Sequence, residues 1–186
     1  ATGNASFGYF GGGIGVSVVD RIDYSNDGAN AIVKGPLSGI RYGVAATGNT
    51  NFGYFGGGNI NVFDKKSTVD RVDYSNDTAT ASPKGPLSHS LRNSGASSSR
   101  ANAIPTENIV NYAAGTYGTP NTGYFAAGQS SSFSPARPSI VQRIDYSNDT
   151  ATASLKGPLI SFFQGLIGTG NDSFGYFSSG TPTSRV

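Results

Sequence analysis

The stretch Val19-Asp20-Arg21-Ile22-Asp23-Tyr24-Ser25-Asn26-Asp27 recurs as VDRVDYSND at 69–77 and as VQRIDYSND at 141–149. Each copy is followed, at one fixed distance, by Lys-Gly-Pro-Leu, at 34–37, 84–87 and 156–159. Each is preceded by an aromatic–glycine run: FGYFGGG at 7–13 and 52–58, and GYFAAG at 123–128. A fourth run, FGYFSSG at 174–180, has no second half. The chain is therefore a tandem array, and the reading of one repeat decides the fold class.

Within the second repeat, Phe52, Tyr54 and Phe55 open a short run that ends in Gly56, Gly57 and Gly58. Large aromatics favour strands, and glycines at a strand end admit a bulge or a close backbone. Residues 68–74 alternate as a second strand, with Thr68, Asp70, Val72 and Tyr74 on one face and Val69, Arg71 and Asp73 on the other. Ser75-Asn76-Asp77 has turn chemistry. The alternation of 78–82 predicts a third strand, broken at Lys84-Gly85-Pro86-Leu87 because proline cannot donate to a central ladder. The fourth strand is clearest at 41–47. Four short strands in each unit of roughly 45–50 residues, with no helical period, predict an all-β repeat fold with propeller-type blades.

The order Tyr-Phe-Gly-Gly, Val-Asp-Arg-Ile-Asp-Tyr-Ser-Asn-Asp, Gly-Pro-Leu, Arg-Tyr-Gly-Val-Ala-Ala resembles a kelch repeat over nearly the whole chain. It departs from the family's pattern in having no Trp after the hairpin and in reversing the Tyr and Asp. The wording FGYFGGG…VDRIDYSND…GPLS is also similar to Gly/Asn-rich repeats in virion and tail structural proteins of marine bacterial viruses (cyanophages). These resemblances imply a kelch-like β-propeller of four-stranded blades, located in a virion or outside the cell.

Residues 1–186 are expected to form one repeat domain, with repeats at about 7–51, 52–122 and 123–173 and a partial one at 174–186. Three full units and an opening strand fall short of the about four to eight blades of a closed ring. The array is expected to continue in a longer parent, with association of chains or an open stack as the alternatives. Because a blade cannot bury its apolar face alone, neighbours must stack. Phe10, Phe55, Phe125 and Phe177, with Tyr24, Tyr74 and Tyr146, are the expected inter-blade core. Arg21, Arg71 and Arg143 recur with Asp23, Asp73 and Asp145, which points to an Arg–Asp ladder between strands or blades.

Composition narrows the function. The net charge of +2, without a basic run, gives no support for nucleic-acid binding. The absence of cysteine removes disulfides, thiolate metal sites and thiol catalysis. No apolar run reaches membrane-span length. His89 is the only histidine, so neither a catalytic triad nor a multi-histidine metal site can be assembled. Asp23 to Gly28 superficially opens a calcium loop, but Lys34 stands where the bidentate Glu belongs. Eight of the eleven acidic residues lie in the repeated motifs, a distribution suited to a scaffold.

The copies differ mainly in two places. Between strands one and two, Phe10 to Asp20 spans 10 residues, Phe55 to Asp70 spans 15 and Phe125 to Gln142 spans 17. Between strands three and four, the second repeat carries about 20 extra residues, roughly 89–108. With alternating strand directions, both differences are expected on one face of the array. That face would display Phe63, Lys65, Lys66, His89, Arg92, Arg100, Phe133 and Arg137 as a mildly basic, aromatic ligand-binding surface. The expected function is a non-enzymatic virion structural or host-adhesion module without a cofactor. Its expected partners are other virion proteins, copies of itself, or a host surface glycan. A secreted carbohydrate-binding propeller or a cell-surface filament subunit is the alternative.

Overall fold

The computed structural model describes residues 1–98, 121–129, 139–161, 165–170 and 174–179. Every regular element among them is a β-strand or a single 3₁₀ turn. The first sheet contains β1 (Thr2–Gly3), β2 (Phe7–Gly13), β3 (Val16–Asp23) and β4 (Ile32–Lys34). The second contains β5 (Tyr42–Gly48), β6 (Phe52–Asn59), β7 (Val69–Asp73) and β8 (Ser82–Lys84). The third contains β9 (Gly95–Ser98), β10 (Thr122–Ala126), β11 (Val141–Asp145) and β12 (Ser154–Lys156). A two-stranded sheet of β13 (Leu166–Gly170) and β14 (Gly175–Ser179) follows. Strands are antiparallel and neighbours in chain order within each sheet.

The sheets are cut out of phase with the sequence repeat. Residues 41–47, the fourth strand of the first repeat, pair with β6 as the first strand of the second sheet, in the register Ala46↔Phe55 and Thr47↔Tyr54. Two further expectations are corrected. The alternating 78–82 stretch is not a strand up to its last residue, and β8 begins only at Ser82. Tyr74 does not continue β7 but opens a 3₁₀ turn, Tyr74–Asn76, capped by the Asp73 carboxylate, which accepts from Ser75 N at 2.9 Å.

The reason 78–82 leaves its own ladder lies in the neighbouring sheet. Gly35 N donates to Asp77 O (2.8 Å) and Ala81 N to Pro36 O (2.8 Å). The same pair recurs one sheet on, as Gly85 N to Asp149 O (2.6 Å) and Ala153 N to Pro86 O (2.8 Å). Lys-Gly-Pro-Leu is thus a backbone seam between sheets. A Cβ on Gly35 would stand 1.9 Å from Ala79 O, and one on Gly85 1.8 Å from Ala151 O, so only glycine lets the two backbones approach. Pro83 sits in β8, an edge strand, opposite Asp70, where a missing N–H is tolerated.

Two cores of similar composition lie between the sheets. Tyr9, Val19 and Leu37 of the first sheet meet Phe55, Val72 and Ala81 of the second. Tyr54, Val69 and Leu87 of the second meet Phe125, Ile144 and Ala153 of the third. Val69 and Val72 lie on opposite faces of β7, so the second sheet is buried on both sides. The expected aromatic core is therefore revised. Phe55 and Phe125 are fully buried and Tyr146 is buried with them, Tyr74 packs against the core from its edge, but Phe10 is 49% and Tyr24 53% exposed, and the core also takes in Tyr9 and Tyr54. Phe55 lies over Gly11, and Phe125 over Gly56, where a Cβ would come within 2.5 Å of the ring.

At the opposite edge of the sheets a hydroxyl ladder joins the first strands. Thr2 Oγ1 donates to Thr47 O (3.0 Å), Thr47 Oγ1 to Ser97 O (2.9 Å), and Ser97 Oγ to Thr169 O (2.7 Å). These four residues hold one position in β1, β5, β9 and β13.

Phe55→Ala should cost about 3–5 kcal/mol of unfolding free energy. Phe10→Ala, at the same repeat position but half exposed, should cost no more than about 1.5 kcal/mol. Urea denaturation of the two variants checks the contrast; equal losses would contradict the assignment of the core.

Candidate interaction surface

The third residue of the second and third Ser-Asn-Asp turns, Asp77 and Asp149, is the hub of an inter-sheet site. Asp77 Oδ2 accepts from Tyr9 Oη (2.9 Å) and Arg21 Nη1 (2.8 Å), and its Oδ1 lies 3.2 Å from Lys34 Nζ. One sheet on, Asp149 accepts from Tyr54 Oη (3.0 Å) and Arg71 Nη1 (2.7 Å), with Lys84 Nζ at 3.5 Å. Tyr, Arg and Lys come from β2, β3 and β4 in one case and β6, β7 and β8 in the other, so three adjacent strands converge on one carboxylate. Each Tyr ring also stacks on the next sheet's turn tyrosine, Tyr9 on Tyr74 and Tyr54 on Tyr146, with centroids 4.7 Å apart.

The expected Arg–Asp ladder is thus corrected in its partner. Arg21 and Arg71 do bridge sheets, but to the turn aspartates Asp77 and Asp149. Asp23, Asp73 and Asp145 instead accept from Ser25, Ser75 and Ser147, through both the backbone N–H (2.9 Å) and the hydroxyl (2.6 Å). Those serine hydrogen bonds hold the three carboxyls below their ordinary range.

Burial alone would push the Asp77 carboxyl up. The hydrogen bonds from Tyr9, Lys34 and Arg21 outweigh it, and its pKa lies below the ordinary 3.8. Burial, followed by the hydrogen bond to Asp77 and its charge, pushes the Tyr9 phenol up to about 12. Burial and Asp149 push Tyr54 in the same direction.

A second buried cluster fixes the crossing from one sheet to the next. Asp70, fully buried in β7, accepts from Arg41 Nη2, from Ser38 N (3.0 Å) and from Ser38 Oγ (2.7 Å). Arg41 Nη1 also donates to Gly57 O (2.7 Å) and Thr68 O (2.9 Å). In the third sheet Gln142 replaces Asp70, and accepts at Oε1 from Ser88 Oγ (2.7 Å) and His89 N (3.0 Å). Leu91 stands four residues after its Gly-Pro-Leu, as Arg41 does. Cation and carboxylate are therefore exchanged together for an apolar residue and a neutral amide, which avoids an unpaired buried charge.

The expected binding residues separate into two groups. Asn61 Oδ1 accepts from Phe63 N (3.0 Å) and Asp64 N (2.9 Å), and this Asx-type turn presents Phe63, 87% exposed, at the tip of the β6–β7 connection. Lys65 is half-buried and bridged through its backbone to Asn59. Lys66 Nζ pairs with Asp64 (2.9 Å). Lys66 O accepts from Leu91 N (3.1 Å), which brings 63–66 and 89–92 to one end of the sheets. There His89 engages Gln142, and Arg92 Nε donates to Gln129 Oε1 (2.6 Å). Arg100, Phe133 and Arg137 lie outside the described residues.

Lys66 is matched by Asp64 and Arg92 is tied to Gln129, and the side chains most exposed at this end, among the described residues, are apolar. Ile14 and Val16 border the β2–β3 turn, Ile40 precedes Arg41, and Ile60 and Val62 flank Asn61. Gly13 N donates to Arg41 O (2.9 Å), which ties the β2–β3 turn to the Ile40 segment. A surface chosen by charge missed these residues; β-branched side chains at loop positions were the available signal.

The insertion of the second repeat is also relocated. It was expected between strands three and four, but β9 follows β8 after only 85–94. The extra residues separate β9 from β10, beyond the Ser98↔Gly123 end of that pair. The corresponding end in the second sheet is Gly48↔Gly53, opposite the β6–β7 connection. The two length variations therefore leave opposite ends of the sheets, and the single variable face does not hold.

Among the described residues no group of three His, Cys, Asp or Glu is placed to hold a metal ion. No protein-family model and no curated protein matches the chain.

Asp77→Asn should cost about 3 kcal/mol, at the low end for breaking a buried pair because Arg21 and Lys34 keep some exposure. A carboxyl with a lowered folded pKa contributes stability above its unfolded value and loses it as pH falls through the folded one. The wild-type melting temperature should therefore drop below about pH 3.8, and Asp77→Asn should show a shallower acid dependence. The raised Tyr9 pKa has the opposite sign: its contribution is complete below pH 10 and is lost as pH rises towards 12. Tyrosinate absorbance should then develop in two stages, with a late fraction near pH 12 that coincides with unfolding.

Proposed function

We propose that the chain is a kelch-like β-propeller module of a virion appendage, with a structural or host-adhesion role and no catalysis. The observation that supports this most is the use of the repeated motifs. Tyr9, Arg21, Lys34 and Asp77, then Tyr54, Arg71, Lys84 and Asp149, bind one sheet to the next. Such a scaffold keeps loop tips in fixed positions, and here the tips carry Ile14, Val62 and Phe63. Exposed apolar tips suit contact with another virion protein or the apolar face of a surface sugar. The virion assignment rests on the similarity of the repeat wording to cyanophage structural proteins.

Antibodies raised against the chain test the location. Immunogold labelling of virus particles from marine cyanobacterial cultures should decorate an appendage. Labelling confined to secreted filaments or cell surfaces would replace this reading with that of a secreted carbohydrate-binding propeller or filament subunit. For the adhesive role, binding of the fluorescent chain to host cells should fall about tenfold on Phe63→Asp, the loss of one interface anchor.

A further inference from the structure

The connection between β6 and β7 closes its polar groups on itself and presents its apolar ones. Asn61 Oδ1 accepts from Phe63 N (3.0 Å) and Asp64 N (2.9 Å), and Asn61 O accepts from Asn59 Nδ2 (2.7 Å). Ile60 N donates to Asp64 O (3.1 Å), and at the base of the loop Lys66 N donates to Gly58 O (2.8 Å). Val62 and Phe63 are 58% and 87% exposed, and Ile60 is half exposed. The crossing segment beside the loop adds Ile40, also half exposed, where Tyr42 pairs with Asn59. The second sheet is buried on both faces, so these exposures belong to the loop and not to an uncovered face of the sheet. Cations follow directly in the chain. Asp64 pairs with Lys66 (2.9 Å), and Lys65 meets no carboxylate among the described residues, so two ammonium groups stand against one carboxylate.

We propose that this loop is a lipid-contact spike. Val62 and Phe63 enter the interfacial region of an anionic bilayer, and Lys65 and Lys66 meet its phosphate headgroups. The inference rests on the reading above that the loop tips make the module's contacts, and it names lipid as what this tip touches. The contact is with one leaflet, since a loop of this length lies on a membrane and does not span it.

Two features favour lipid over a sugar or a protein. Sugars and proteins are oriented by directional hydrogen bonds, and the Phe63 and Asp64 N–H groups that could make them are already held by Asn61. Entry into a medium without water is opposed by every unpaired backbone N–H, and closing these groups inside the loop removes that opposition. The order of the side chains is the second feature. An aromatic and aliphatic tip suits the acyl boundary, and lysines next to it have stems long enough to return their charge to the headgroups. The excess of cation over carboxylate complements an anionic surface.

The chain contains no tryptophan, so Phe63→Trp places a single indole at the tip of the intact protein. Vesicles of phosphatidylcholine and phosphatidylglycerol should shift its emission to the blue, and lipids brominated along the acyl chain should quench it. The wild type should co-sediment with the same vesicles, and Phe63→Asp should weaken that binding about tenfold. Lys65→Gln should reduce the preference for anionic over pure phosphatidylcholine vesicles about fivefold, the size of one lysine near a charged surface. Both positions lie in the loop, and unchanged melting of each variant confirms that the fold is kept. Absence of co-sedimentation, or binding that Phe63→Asp leaves intact, overturns the proposal. If vesicles leave the indole emission unmoved while the chain still binds host cells, the tip touches sugar or protein; the lipid contact then falls and the adhesive reading stands. If vesicles bind but virus particles carry no label, the lipid contact stands and the virion location falls.

Discussion

A carboxylate taken from one sheet and held by three strands of the sheet before it is the constraint on which the stack depends. Asp77 and Asp149 would be costly to bury alone. Each is supplied with a phenol, a guanidinium and an ammonium, and the donors approach from three adjacent strands. That convergence does more than neutralise charge. A sheet displaced by one residue would carry Tyr9 and Arg21 to the other face, away from Asp77, and leave the carboxylate unpaired. Register, order and approach of the sheets are therefore set together.

The other inter-sheet contacts work within that arrangement. The Thr2–Thr47–Ser97–Thr169 hydroxyls join the first strands at one edge, and the Gly35 and Gly85 seams join the outermost strands at the other. Between them lie apolar cores of the same design, six buried residues in one and eight in the other. Hydrogen bonds at both edges fix spacing, the apolar middle supplies most of the burial, and the aspartate hubs decide which sheet follows which. Because these contacts are repeated and internal, variation is left to the connections, where Phe63 and its apolar neighbours stand.

Much of the local structure was legible in the chain. The aromatic–glycine run, the Val-Asp-Arg strand and the Ser-Asn-Asp turn lie where their composition puts them, because period and turn chemistry are local properties. The misreadings came where a local signal served a distant partner. Thr78-Ala79-Thr80-Ala81 alternates like a strand, but its backbone groups meet Pro36 and Gly35 of the preceding sheet. Arg21 has Asp23 two residues away, yet it bonds Asp77, 56 residues on. The insertion was misplaced because β9 has lost the Arg-Tyr-Gly-Val wording of its sister. Counting from Gly-Pro-Leu would have found it, since Ala46-Thr47 and Ala96-Ser97 lie at the same distance from Leu37 and Leu87.

The candidate surface shows the same division. Sequence alone identified the β6–β7 connection and Phe63, because a variable segment between constant strands is visible by comparing copies. It did not reveal that Lys66 is matched by Asp64, that Arg92 is tied to Gln129, or that the apolar tips dominate the exposed end. By itself the chain determined an all-β array of antiparallel strands and turns, since each follows from side-chain period and backbone chemistry within a few residues. The tertiary structure decided which strands share a sheet, which aspartate each arginine holds and which end of the array a loop leaves. Those outcomes depend on groups brought together from distant parts of the chain, 29 residues apart for Arg41 and Asp70 and 56 for Arg21 and Asp77, where packing and the cost of an unpaired buried charge choose among partners that look equivalent along the chain.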